Sequence, residues 1–425
     1  MLEIENSSPA LTVEPGRHRA PKLTPSRIFR SFWIAGYESA THINPGGERL
    51  DMIAGVQHDA KAREDYRLLK EVGMRTARDG VRWHLIDRGG TYDFSSFEPM
   101  LSAALAEGIQ VIWDLCHYGY PNDVDLLKSE FVERFARFCR ATARFVREHS
   151  DEVPFYSPVN EIDFFAWGAS REIIYPHATG RDNDIKQQLV RAGIAGVEAV
   201  WDVDPRARFS WPEPTIHVLP PRGRPDLAEE ARMYREAQFA AWDMIAGRTH
   251  PELGGNPKYL DIPGSNFYHS NEWEIEGNGR LRWEDEPRDS RWLPYHKLLE
   301  EIWIRYKRPL YVAETSHFGV GRPRWIREIA REVMIARQNG VPVEGICLYP
   351  ILDRYDWTDD THWHNSGLWD FRKNANGFQR VMNPEYAQAL HEMQTLLASE
   401  NPKLESEARS QKPAAIAREP DTKPR

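Results

Sequence analysis

Phe155-Tyr156-Ser157-Pro158-Val159-Asn160-Glu161 is a short apolar run that ends in a carboxylate, and Pro309-Leu310-Tyr311-Val312-Ala313-Glu314-Thr315-Ser316 repeats that arrangement farther along. Aromatic and β-branched residues at this density read as strands. In a parallel barrel the C-terminal ends of the strands carry the chemistry, and each glutamate falls at such an end. The two runs therefore predict a barrel with two carboxylates on one rim.

Working outward, further strand-like runs lie at Phe32–Ala35, Thr76–Ala77, Gln110–Leu115, Ala207–Trp211, Leu260–Asn266 and Gly345–Tyr349. With Pro154–Val159 and Leu310–Ala313 they alternate with helical patterns near 61–72, 95–107, 129–148, 185–201, 225–246, 293–306, 323–338 and 385–397. Such alternation implies a parallel sheet with crossover helices. In the 129–148 stretch Phe131, Phe135, Phe138 and Phe145 recur at helical spacing, with Cys139 and Thr142 between them. That stripe is expected to face the sheet. Eight strands and eight helices fit an α/β fold of the (β/α)8 TIM barrel type, and no glycine-rich nucleotide fingerprint follows the first strand.

The chain has 425 residues, 41% of them hydrophobic, which suits one large globular barrel with decorated loops. A single domain is expected over 29–398, with mobile extensions at 1–28 and 399–425, where no apolar period is sustained. A net charge of −9 gives no reason to expect nucleic acid. Cys116, Cys139 and Cys347 have neither a disulfide framework nor metal-ligand spacing, and read as buried thiols of a reducing compartment. The first residues carry acidic groups and no unbroken apolar stretch, so neither a leader nor a membrane span is expected, and cytoplasmic residence is the default. A long connection from Tyr268 to Trp292 is expected to form a binding wall.

Two strand-end carboxylates can cleave a glycosidic bond, which needs a proton for the departing oxygen and stabilisation of charge at the sugar carbon. Strand-end acids also serve metal binding and proton abstraction, and the pair alone does not choose between these chemistries. Its neighbours favour the first. Arg78 ends the second strand, where it is expected to pair with Glu314. His117 follows the third strand and can meet a sugar hydroxyl. Asn160 precedes Glu161 and is expected to orient substrate. Asn266 and Tyr268 close the sixth strand, with the phenol beside Glu314. After the eighth strand, Trp357 offers a ring for stacking on a sugar face and Asp356 an acceptor for a pair of hydroxyls.

Taken together, these strand-end residues resemble the family 1 glycoside hydrolases, within the clan of retaining (β/α)8 glycosidases, over about 30–395. Arg78-Asp79-Gly80 resembles the family's Arg-Phe-Ser in its first residue, with Trp83 at the family's offset. His117-Tyr118-Gly119-Tyr120-Pro121 is similar to His-Trp-Asp-Leu-Pro, and Asn160-Glu161 matches the acid/base Asn-Glu, followed here by Ile162 instead of proline. The run ending Asn266-Phe267-Tyr268 is similar to the family's Asn-Tyr-Tyr, and Glu314-Thr315-Ser316 stands where the family has Glu-Asn-Gly. Leu352-Asp353-Arg354-Tyr355-Asp356-Trp357 resembles Leu-Asp-Asn-Phe-Glu-Trp.

The resemblance implies a retaining β-glycosidase in which Glu314 is the nucleophile and Glu161 the acid/base, and in which Asn266 and Tyr268 support the nucleophile. Tyr349-Pro350 in place of Trp-Ser, Asp356 in place of glutamate, and Glu38 where the family has a glutamine speak against an ordinary β-glucoside pocket. Arg354 beside the acidic 359–364 segment favours a neutral glycone over a phosphorylated one. The expected partner is a carbohydrate, with no metal, organic cofactor, nucleic acid or membrane; a homo-oligomer is compatible with the sequence. Transglycosylation and non-catalytic carbohydrate binding stand as alternatives. No His/Asp/Glu ligand set or strand-end lysine supports a metal-dependent isomerase or an aldolase.

Overall fold

The computed structural model describes residues 26–399 apart from 277, 278 and 376, so most of the two extensions expected at the termini lies outside the described residues. Among the described residues eight parallel strands close into a barrel. They are β1 (Trp33–Gly36), β2 (Thr76–Gly80), β3 (Gln110–Asp114), β4 (Phe155–Ser157), β5 (Arg208–Pro214), β6 (Ile262–Asn266), β7 (Leu310–Thr315) and β8 (Val343–Leu348). Each pairs in parallel with its neighbours in the chain, and β8 closes on β1 through Trp33 and Ile346. This is the (β/α)8 TIM barrel expected from the alternation of strand and helix.

Most crossover helices fall where the periodicity places them, among them His58–Glu71, Glu98–Glu107, Asp182–Trp201 and Arg322–Gln338. The stretch at 225–246 differs, breaking into Ala228–Glu236 and Ala240–Ile245 around a 3-10 turn. The cause is polar. Gln238 in that turn is buried, its Oε1 accepting the Ile216 N–H at 2.9 Å and its Nε2 donating to the Arg235 carbonyl at 2.8 Å.

In the helix Ser129–His149, Phe131, Phe135, Phe138, Cys139 and Thr142 are buried, while Phe145 is half-buried. Phe138 stacks on Trp83 with ring centres 5.3 Å apart, so the aromatic stripe locks this helix over the segment after β2. On its other flank lies Asp182–Trp201, where a Cβ on Gly196 would stand 3.0 Å from both Cys139 Sγ and the Phe135 ring. A glycine there spares the two helices a tight side-chain contact at their approach.

Inside the barrel the floor is apolar. Ile34, Ile112, Phe155, Ile262 and Tyr311 form one buried cluster, stoppered by Phe29, whose ring lies 5.2 Å from Tyr311 and 5.8 Å from Phe155. Burying a ring of that size stabilises by about 2–3 kcal/mol. Above this floor the inward positions turn polar, with Arg78, Asp114 and Glu314 all buried. Their burial is unusual for charged groups and directs attention to the rim.

Among the described residues three two-stranded sheets are added to the barrel without a counterpart in the sequence reading, the smallest being Asp87–Arg88 with Thr91–Tyr92. An antiparallel hairpin, Trp369–Asn374 with Gly377–Met382, is anchored by Arg380, which donates to Asp65 at 2.6 and 2.8 Å. Asp65 and Asp79 then clasp His58 from its two ring nitrogens at 2.8 Å each. Burial opposes a charge on that ring, yet the two carboxylates outweigh it and push His58 up to about 9. A short parallel pair, His217–Leu219 with Glu272–Glu274, steadies the long connection after β6. Cys116, Cys139 and Cys347 are buried free thiols. Among the described residues no helix is long and apolar enough to cross a membrane.

Candidate active site

At the C-terminal rim a cavity of about 300 Å³ is lined by Glu161 and Glu314 together with Glu38, His117, Tyr118, Phe164, Tyr268, Tyr349, Arg354 and Trp357. Glu314 belongs to β7, where the pairing with β6 shifts register between Val312 and Glu314 and sets Glu314 opposite Asn266. Its Oε1 accepts from Arg78 Nη1 at 2.7 Å, and its Oε2 from the Tyr268 hydroxyl at 2.7 Å.

Arg78 reaches Glu314 from within β2 because its guanidinium is held on every side. It donates to Asp114 from Nε at 3.0 Å, to the Asn160 side-chain oxygen from Nη2 at 2.6 Å and to the Ala313 carbonyl at 3.3 Å. Burial works against the charge of Asp114, but Arg78 and His117 hold its carboxyl below the usual range. A planar fork with several donors suits this task, whereas a lysine has one point charge to share.

Glu161 has a different setting. It follows β4 with a left-handed backbone, φ 44°, a conformation that costs a residue with a side chain about 1–3 kcal/mol. The surrounding structure enforces it. The Glu161 N–H donates to the Pro212 carbonyl at 3.0 Å, and the buried Glu213 accepts from the N–H groups of Ile162 and Asp163 at 2.8 and 3.0 Å, capping the helix Ile162–Ser170. The carboxyl of Glu161 receives two neutral donors, Asn266 Nδ2 at 2.8 Å and the Tyr118 hydroxyl. Tyr118 is itself left-handed, at φ 67°. Burial, seconded by the charge of Glu314, pushes Glu161 up to about 7 although both hydrogen bonds pull the other way.

A polar chain connects these surroundings. His117 Nδ1 lies 3.0 Å from Asp114, which assigns the proton to Nδ1 and leaves Nε2 to accept Asn160 Nδ2 at 3.1 Å. The same amide nitrogen donates to the Tyr118 oxygen at 3.0 Å, so the Tyr118 proton is free for Glu161. On the next wall Tyr349 lies against Gly36, where a Cβ would fall 2.2 Å from its ring, and the Arg78 guanidinium sits 5.3 Å from the ring centre. Glu38 pairs with Arg354 Nε at 3.3 Å and accepts the Ala40 N–H at 3.1 Å.

Three placements differ from the sequence reading. Asn160 is fully buried and its amide is spent on Arg78, His117 and Tyr118, so it braces the site instead of facing substrate. Asn266 donates to Glu161 and not to Glu314, although the strand register sets it opposite Glu314. Asp356 does not line the cavity. Its carboxylate accepts from the Thr358 N–H and hydroxyl at 2.8 and 2.7 Å and lies 3.2 Å from His364, a local turn that consumes it. Trp357 does line the cavity, and Tyr118, quoted in its motif without a role, supplies a direct contact to Glu161. The fold also assembles His269 and Glu284 of the long connection after β6 with His317 after β7, a potential ligand set invisible in the sequence because the three are far apart along the chain.

No protein-family model and no curated protein matches the chain in sequence. Solved structures do match in fold. A family 1 β-glucosidase from Thermotoga maritima superposes with a TM-score of 0.66 at 14% identity, covering 88% of this chain and 99% of its own. The β-glucosidase of the same organism in complex with glucoimidazole gives 0.64 at 15% identity over 80% and 87%. The AHE enzyme from Alicyclobacillus herbarius gives 0.67 at 16% identity over 85% and 97%. The chain thus has the fold of the family 1 β-glucosidases with a strongly divergent sequence.

Proposed function

We propose that the protein is a retaining, exo-acting β-glycosidase that hydrolyses a β-linked glycoside or oligosaccharide by double displacement. The observation that carries this reading is the unequal dressing of two carboxylates on one cavity: Glu314 is ion-paired to Arg78, whereas Glu161 is pushed up to about 7 and meets only neutral donors. In the first step Glu314 attacks the anomeric carbon as Glu161 passes its proton to the departing oxygen. Glu161, now a base, then takes a proton from water, which displaces Glu314 and releases the sugar. Tyr268 steadies the nucleophile before and after attack.

Glu38 and Tyr349 offer polar atoms for sugar hydroxyls and Trp357 a ring face, while His117 lines the cavity with both ring nitrogens engaged. Arg354 is balanced by Glu38, which supports a neutral glycone over a phosphorylated one. A second hollow of about 600 Å³ shares Phe164, Pro214, Ser270 and Asn271 with the first and is suited to the leaving group. The test is reaction with a mechanism-based 2-fluoro-sugar followed by peptide mapping. Labelling of Glu314 is expected; a label elsewhere, or turnover of the fluoro-sugar without a covalent adduct, contradicts the nucleophile assignment.

A further inference from the structure

Beside the cavity, on the segments after β6 and β7, three side chains converge that the displacement reaction does not use, and one of them, His269, lines the cavity. His269, Glu284 and His317 each present a ligand atom, and these atoms all lie within 4.8 Å of one another. His317 Nε2 is 3.0 Å from Glu284 Oε1. At its other nitrogen, Nδ1 lies 2.8 Å from the Phe318 N–H and 3.0 Å from the Phe318 carbonyl. The ring thus has a partner for either tautomer, and with the proton on Nδ1 donated to that carbonyl, the Nε2 lone pair is free to bind a cation.

His269 supplies the independent sign. Its Nδ1 is shielded from solvent and has no hydrogen-bond partner among the described residues, although buried imidazole nitrogens normally have one. The two imidazoles lie with centres 4.2 Å apart, and the Trp283 ring packs 5.1 Å from His317, closing the back of the cluster. Glu284 is the open side, with 39% of its side chain exposed against 9% for His317.

We propose that His269, His317 and Glu284 bind one borderline divalent transition-metal cation, with Zn²⁺ as the type and a fourth position left open. Two imidazole nitrogens and one carboxylate oxygen suit such a cation, whereas Ca²⁺ and Mg²⁺ seek all-oxygen shells. Around a tetrahedral zinc at about 2.0–2.1 Å the ligand atoms stand about 3.3 Å apart. Binding therefore requires the present spread to close, and the exposed Glu284 is the side chain with room to move. Since His269 lines the carboxylate cavity, the bound cation places a positive charge on its wall and ties the β6 and β7 segments together.

Calorimetric titration of the chelator-treated, full-length chain with Zn²⁺ tests this without reference to catalysis. One equivalent is expected to bind at micromolar or tighter concentration, with Mg²⁺ giving no comparable heat. His269→Ala and Glu284→Gln are each expected to weaken binding roughly a hundredfold, since losing a ligand costs at least as much as losing its outer partner. Glu284 is exposed, so its variant keeps the fold, and circular dichroism checks both. Absence of binding to the unaltered chain overturns the proposal, as does binding that Glu284→Gln leaves unchanged or that Mg²⁺ matches.

Discussion

Glu314 and Glu161 are the same residue type, at the ends of strands in the same barrel, on the same cavity, yet their surroundings differ in kind. Glu314 meets a guanidinium and a phenol; Glu161 meets a phenol and an amide and, among the described residues, has no formal cation in contact. Both are nearly inaccessible, so burial alone does not distinguish them. The difference lies in what replaces the lost water. A fixed positive charge offsets the cost of burying an anion, whereas neutral donors offset only part of it, and the cost left over favours the protonated form. On the proposed reading, one fold thereby prepares an acid and a nucleophile from two identical side chains.

Substitutions that remove one side of this contrast should have the largest effects. Glu314→Gln deletes the attacking oxygen, and steady-state assays are expected to show turnover at background with substrate binding retained. Glu161→Gln removes the proton donor but keeps its shape. Its loss is expected to be roughly 10²–10⁴-fold in kcat/KM for a sugar leaving group and much smaller for an activated aryl one, because the latter departs without a proton. Tyr268→Phe takes one hydrogen bond from Glu314, worth about 2 kcal/mol for a charged acceptor, so a fall of about thirtyfold in kcat/KM is expected.

The smallest effect belongs to a residue whose place in the sequence suggests more. Asp356→Asn is expected to change kcat/KM less than about threefold, because its carboxylate is engaged with Thr358 and His364 outside the cavity, and surface changes of this kind usually stay within about 0.5 kcal/mol. A large rise in KM would restore it to the glycone pocket.

The barrel was legible because its floor obeys simple rules: Ile34, Ile112, Phe155 and Tyr311 sit in apolar runs whose order announces the strands. The rim was legible only in part. Glu161, Glu314, Arg78 and Tyr268 stand at strand ends, and strand order brings them together. Asn160 and Asn266 were visible as residues but not as orientations, which depend on register and on the left-handed turn at Glu161. Asp356 was misread because a local turn competes for its carboxylate, a contest that spacing does not reveal. His269, Glu284 and His317 meet only after the chain has closed.

The account rests on Glu161 carrying the proton that the departing oxygen takes, and the pH dependence of kcat/KM for a β-glycoside with a poor leaving group tests that assignment most directly. Because Glu161 is held up at about 7 and must donate, activity is expected to fall as pH rises through about 7, and this alkaline limb should vanish from the residual activity of Glu161→Gln on the same substrate. An alkaline limb that persists unchanged in that variant would contradict the assignment of Glu161 as the acid.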